Sequence, residues 1–389
     1  MSSPINLTDD DSEAPIPPYV RSDWLPTENK SIFHLFAFNQ YPVNKIHYSV
    51  PQDLTLMLHQ AHIPFFDCAT LPKFSMPADP TVSEVYQQMI KSSQHPIHSI
   101  TLNPHPGHGD PVTLPVWIFT YWREMRRVLS YREMWRGVLV WLQSYSEVPV
   151  TASCWHELLV ALSFFPWSGN NVAVRDITSL LSSSSSQQSY LASFHIDHMI
   201  KQISSRHQEL HGPEVSRRHV FVTVDILATI TKFYGSQQTA EKTGNFLWEQ
   251  LSEIENQIIR GEVNSVCGVH YLPNHWISVV FKIQQGHILY GDSFGQPIPK
   301  LEHRAFTLWI QRLYQKSNRK TGNDSVPVHP LPTGHQDDLI SCGLLALNAI
   351  SHHHLDQPLL SPDPISLAHA RMEITLDLLN KNTVCPLLP

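Results

Sequence analysis

Between residues 264 and 292 the apolar pattern leaves helical spacing and alternates. Asn264 to Tyr271, Trp276 to Ile283 and His287 to Asp292 are rich in β-branched and aromatic residues, and Gln284-Gln285-Gly286 separates the last two runs. This pattern predicts an antiparallel meander around which the rest of the chain must pack. Such a hairpin brings the residue before its first strand and the residue closing its second to the same sheet edge. Here those residues are His275 and Asp292, so a base and a carboxylate can meet.

The flanking sequence is mainly helical. Apolar residues recur at Ile118, Trp122, Met125 and Leu129, then at Tyr131, Trp135, Val138 and Leu142, which predicts two amphipathic helices or one bent near Ser130. This aromatic stripe is assigned to packing rather than to a ligand groove. Trp155 to Phe165 reads as a buried helix, Leu191 to Ile203 as an amphipathic one, and His219 to Val224 as a strand. Phe306 to Tyr314 is helical, residues 316 to 325 form a polar loop, and Ser182 to Ser186 is a linker-like serine run. Short apolar runs at Leu54 to Leu58 and Val85 to Ile90 are separated by proline-rich breaks at Pro77 to Pro80 and Pro104 to Pro111. The expected organisation is a disordered tail over 1–30, a mainly helical extension over 31–149 and a catalytic domain over 150–389. The expected class is α+β, with helices packed around one central antiparallel or mixed sheet.

Composition narrows the function classes. The 389 residues carry 42% apolar content, ample for a core, and a net charge of −7 with 27 Lys and Arg, which gives no polycationic surface for nucleic acid. The apolar segment Val116 to Leu142 contains seven Arg and Glu residues and suits a water-soluble helix, not a bilayer span, so no membrane partner is expected. The first eighteen residues lack the pattern of a secretory signal. Cys68, Cys154, Cys267, Cys342 and Cys385 are scattered, odd in number and without a CxxC pair, which fits a reducing intracellular setting, nucleus or cytoplasm. Metal binding by His105, His108 and Asp110, or by His352 to His354, has suitable ligand types in loop-like surroundings and is set aside.

The run Gly334-His335-Gln336-Asp337-Asp338-Leu339-Ile340-Ser341-Cys342-Gly343 ends in the apolar stretch Leu344 to Ile350, which places Cys342 at a helix N-terminus. Exposed N–H groups and the positive dipole end there favour a thiolate, and a nearby imidazolium adds to this. Gln336 can fold back to offer its amide to a developing oxyanion, and Gly343 would let a substrate carbonyl approach the backbone. Asp337 and Asp338 read as solvated turn residues. Together His275, Asp292, Gln336 and Cys342 supply a base, an orienter, an oxyanion donor and a nucleophile, the parts of a cysteine protease.

The order His, Asp, Gln, Cys, the pair His275-Trp276, the Gly-Asp-Ser strand end and the Gln-x5-Cys-Gly turn resemble the ubiquitin-like-protein-specific cysteine proteases, the SUMO protease family. Their spacings, 292 − 275 = 17 and 342 − 336 = 6, agree with that family's pattern. The resemblance covers about residues 185 to 355 and is of the divergent kind found in fungal proteins. It implies a papain-like fold and hydrolysis of the peptide or isopeptide bond after a modifier's Gly-Gly tail through a thioester on Cys342, with no metal or organic cofactor. The partner it implies is a ubiquitin-like modifier or its conjugate; oligomeric state stays open. Family members hold the diglycine tail between two tryptophans. Trp276 matches one of them, and Tyr190 stands where the other is usual. Ser341 likewise replaces the usual Asp before the cysteine. A protease-like module that binds a modifier without cutting it is the alternative.

Overall fold

The computed structural model describes residues 16–28, 30–38, 48–49, 58–59, 98–104, 112–168, 171–181, 190–235, 246–319 and 325–382. The runs at 85–90 and 182–186, Cys68, Cys385, His105, His108 and Asp110 lie outside these residues. The chain divides into two compact units, residues 1–136 with 162–171, and residues 137–161 with 172–389. Among the described residues, no helix is long and apolar enough to cross a membrane.

The first unit contains α1 (Pro18–Trp24), α2 (Ile32–Ala37) and a small sheet in which β1 (Tyr48–Ser49), β2 (Leu58–His59) and β4 (Val112–Pro115) all pair antiparallel with β3 (Ser99–Pro104). Helix α1 corrects the expected tail: residues 16–28 are folded, with Ile16, Val20 and Leu25 buried, although acidic and proline-rich composition argued for disorder. Pro18 sits in the first turn of α1, where its missing N–H costs nothing. Tyr131 and Trp135 pack edge-on against Trp167 and Phe165, and Trp135 Nε1 donates to Trp167 O at 3.1 Å while Trp167 Nε1 donates to Thr27 O at 2.9 Å. The aromatic stripe is therefore core. It belongs to one helix, α3 (Ile118–Gln143), and not to two. The two apolar series join across Ser130 because Phe119, Tyr121 and Val128 are buried as well, which widens the apolar face beyond a single 3.6-residue seam.

After α4 (Ala152–Phe164) and α5 (Asn171–Leu180), the second unit is built on a five-stranded sheet. It contains β5 (His219–Phe221), β6 (Ser265–Leu272), β7 (His275–Lys282), β8 (His287–Gly291) and β9 (Val328–Pro330), in that spatial order. The expected meander is β6-β7-β8, paired antiparallel with Ser278 opposite Gly291 and Lys282 opposite His287. Parallel edge strands β5 and β9 make the sheet mixed. On β7, Ile277, Val279 and Phe281 join a core with Phe306 and Trp309 of α9 (Lys300–Lys316). Two edge-on aromatic pairs, Phe281 with Phe306 at 5.0 Å and with Trp309 at 4.9 Å, lock this layer; each such pair adds about 0.5–1.5 kcal/mol beyond its area. The same layer includes α7 (Val224–Ile230), which continues as a π turn over Thr231–Gly235, and α8 (Phe246–Ile259).

Period two turns Trp276, Ser278 and Val280 to the other face. There α10 (Cys342–Leu355) packs on β7 and against α6 (Ser193–Ser216). Both faces are thus covered, which explains why β6 and β7 are nearly continuously buried and not alternately exposed. Helix α6 breaks at Gly212, where φ is 77° and Pro213 follows; glycine supplies the left-handed backbone and proline forbids the helical hydrogen bond. The chain closes with α11 (Pro364–Asn382).

Candidate active site

His275 opens β7 and Asp292 follows the last residue of β8. Antiparallel register therefore brings them together at one end of the hairpin, with His275 Nε2 3.2 Å from Asp292 Oδ1. This is ion-pair distance, and the two atoms lie off the hydrogen-bond line. Asp292 is held from three sides: Tyr290 Oη donates to Oδ2 at 3.1 Å, the Phe294 N–H donates to Oδ1 at 2.7 Å, and His275 faces Oδ1. Burial would raise the Asp292 carboxyl, but His275, the Phe294 N–H and Tyr290 keep it below the usual carboxylate range. The His275 ring stacks on Phe294, with centroids 4.9 Å apart.

Cys342 is the first residue of α10, close enough to His275 to act on its charge, although neither ring nitrogen makes a hydrogen bond. Burial alone would lower the imidazole; the nearby Asp292 and Cys342 instead carry it up to about 9. At neutral pH His275 is therefore an imidazolium held between a carboxylate and a thiol. That arrangement suits a general acid beside a nucleophile.

The turn before Cys342 is organised by a residue that the sequence reading passed over. Asp338, read there as a solvated turn residue, is half-buried and accepts from the Ile340 N–H at 2.9 Å, the Ser341 N–H at 2.8 Å and Ser341 Oγ at 2.6 Å. Burial pushes its carboxyl up, but these donors and Gln336 outweigh it and hold the group low. An aspartate two to three residues ahead of free N–H groups is the signal that could have revealed this turn. Ser341 donates to that carboxylate, a role an aspartate at 341 could not fill. Asp337 is exposed, as read.

Gln336 is buried, and its own N–H donates to Ser293 O at 2.8 Å. Its Oε1 accepts from Ser293 Oγ at 2.8 Å, while Nε2 donates to Asp338 O at 2.8 Å and Oδ1 at 3.2 Å. The amide thus stands in the turn leading to the thiol, with its donor held by Asp338. Arg371 of α11, almost wholly buried, was also missed. Its Nη2 reaches Ile340 O and its Nη1 Leu180 O, both at 3.3 Å. Burial lowers the Arg371 guanidinium to about 10 against the opposing pull of Asp338 and Cys342. No local pattern marks an arginine on a distant helix as part of this site.

Tyr190 and Trp276 line one cleft of about 340 Å³ together with Leu191, Ala192, Ser193, Tyr271 and Asn274. Trp276 is pinned there: its Nε1 donates to Leu191 O at 2.9 Å, and Tyr271 packs edge-on at 4.9 Å. The same segment is fixed by His195, whose Nδ1 accepts the Ala192 N–H at 2.9 Å and so caps α6. Gly343 differs from the reading that opened it to substrate. It is buried, and a Cβ there would lie 3.0 Å from Leu191 Cβ and Cδ1, so close packing of α10 against residue 191 accounts for the glycine.

Residues 189–374 match a model of the Ulp1 protease family, C-terminal catalytic domain, a span that contains every residue placed in this site. Over that span the resemblance drawn from the motifs is borne out, as are the α+β class and its protease-type fold. Among solved structures, a SUMO protease Ulp1 with its catalytic cysteine oxidised to a sulfenic acid is 16% identical, with 54% of this chain and 84% of that chain covered and a TM-score of 0.39. The C-terminal Ulp1 protease domain in complex with Smt3, the yeast ortholog of SUMO, is 16% identical over 54% of this chain and 83% of that one, with a TM-score of 0.38. A de-sumoylating protease is 13% identical over 54% and 86%, with a TM-score of 0.39. No curated protein matches the sequence.

Proposed function

We propose that this chain, whose residues 189–374 match the catalytic domain of the Ulp1 protease family, is an intracellular cysteine peptidase. Its substrate is a ubiquitin-like modifier of the SUMO type, cut after its Gly-Gly tail. One observation carries the reading: the His275 ring stands 3.2 Å from the Asp292 carboxylate and beside a cysteine at the N-terminus of a helix. A polar cluster serving stability alone has no use for a thiol at that position.

The chemistry follows from the placement. With the modifier tail laid in the cleft between Tyr190 and Trp276, the Cys342 thiolate attacks the terminal glycine carbonyl. Charge on the oxygen is met by unpaired N–H groups at the start of α10 and by the Gln336 amide once it lets go of Asp338. The His275 imidazolium then gives its proton to the leaving amine, and the same nitrogen takes one from the water that hydrolyses the thioester. Asp292 holds the ring throughout.

The engaged Gln336 amide and the buried Cys342 favour a second reading, a module that grips a modifier without cutting it. A modifier ending in a Gly-Gly electrophile separates the two. Peptidase chemistry gives a covalent adduct on Cys342, read by mass, that disappears in Cys342→Ala. A folded protein that binds several such probes and never forms the adduct overturns the peptidase reading in favour of the binding module.

A further inference from the structure

Away from the hairpin edge, three histidines distant in sequence converge. His207 lies on α6, His219 opens β5 and His354 sits in the last turn of α10. Their ring centroids form a near-equilateral triangle with sides of 5.0, 5.6 and 5.5 Å. Ligand-capable atoms from the three all lie within 4.8 Å of one another.

We propose that His207, His219 and His354 form a binding site for a divalent cation of the zinc class, with a fourth position left to water or an external ligand. Three observations support it. First, the rings are oriented by partners outside the triangle: His207 Nδ1 meets Ser216 Oγ at 3.2 Å and His219 Nδ1 meets Ser265 Oγ at 2.7 Å, which leaves Nε2 of each for a metal. Hydroxyls or carbonyls behind the ligating rings are the usual support of histidine metal sites. The break at Gly212 is what returns Ser216 to His207.

Second, His354 is 7% exposed and its Nε2 has no hydrogen-bond partner, a buried orphan of the kind that costs free energy unless something fills it. Third, the distances suit the ion. Zinc holds nitrogens at about 2.0–2.1 Å and so about 3.4 Å from one another. Closing 4.8 Å to that value needs about 1.4 Å, within reach of small ring rotations. Three imidazoles without a thiolate or a carboxylate suit zinc, copper or nickel better than magnesium or calcium. The residues differ from the histidine run at 352–354: only His354 takes part, with partners from α6 and β5.

The test uses the full chain carrying Cys342→Ser, which removes the thiol as a competing ligand. After chelation, Co²⁺ alone is titrated and its visible d–d absorption read, and Zn²⁺ is then added to displace it. Expected are one equivalent of bound Co²⁺, displacement by Zn²⁺, and a higher melting temperature with Zn²⁺ than with chelator. Each of His354→Ala and His219→Gln lowers Co²⁺ affinity at least about tenfold, whereas His352→Ala keeps it. Metal-free melts show which variants fold; if His354→Ala does not, His219→Gln supplies the comparison. A folded Cys342→Ser protein without a d–d band and without a Zn²⁺-dependent melting shift overturns the site, and so does unchanged affinity in folded His219→Gln. The three rings are then aromatic packing only.

Discussion

His270, buried, and His275, partly buried, lie five residues apart on two strands of one hairpin, and their acid–base behaviour runs in opposite directions. His270 packs edge-on against Phe306 with Nδ1 unpartnered, and burial alone brings it down to about 4. His275 meets the same penalty, but Asp292 and Cys342 carry it up to about 9. His270 is the more deeply buried of the two, and desolvation acts on both. A buried imidazole in this fold becomes a cation only where a carboxylate is built in beside it.

The strongest challenge to that contrast is to remove the carboxylate. Asp292→Asn should lower the rate of modifier cleavage on the order of 10⁴-fold and move the His275 titration, followed by imidazole NMR, downward from about 9. Loss of rate with the titration unmoved would mean that Asp292 acts by some route other than stabilising the imidazolium. In the parent protein, cleavage should fall as pH rises through about 9, where the general acid loses its proton.

Next in size is the half-buried carboxylate of the turn before Cys342. Asp338→Ala strands the Ile340 and Ser341 N–H groups, leaves Gln336 only its bond to the carbonyl of residue 338, and should cost about 1–3 kcal/mol in denaturant unfolding, with a slower reaction at Cys342. Ser341→Ala removes one donor from the same carboxylate and should cost about 1 kcal/mol. If the two variants were equal, Asp338 would matter only as a partner of Ser341.

The smallest effect separates the histidines by pH. His270 has a folded pKa below the unfolded value, so its contribution is present above about 6.5 and is lost as pH falls through that value toward about 4. His275 has a raised folded pKa, so its contribution is complete below about 6.5 and is lost as pH rises through about 9. Each slope is at most about 1.4 kcal/mol per pH unit. Melting across pH should therefore show His270→Leu flattening the acid side and His275→Gln the alkaline side. A variant that flattens the wrong side would reverse the assignment.

The sequence made the hairpin and the thiol helix legible because their signals are local: a change of period, a glycine turn, and a polar run giving way to Leu344 and Leu345. His275 and Asp292 could be paired because seventeen residues of hairpin fix their register. Asp338 was misread because a turn aspartate looks the same whether it faces water or gathers four N–H and O–H donors. Arg371, Leu191 and the triangle of His207, His219 and His354 were invisible, since each depends on packing between segments far apart in the chain. The folded stretch at Pro18 was hidden by composition, as were the short strands around β3, because two-residue pairings leave no periodicity.

Leu191 ties two properties together. Its carbonyl holds the indole of Trp276, and its side chain fills the space that a residue other than glycine would need beside Cys342. Bulk added at 191 would press on the nucleophile's helix while it moved the wall of the tyrosine-lined cleft; bulk removed would loosen both. In this scaffold, choosing a substrate and setting the reactivity of the thiol share one adjustable part, so changes in selectivity and in rate are expected to arrive together.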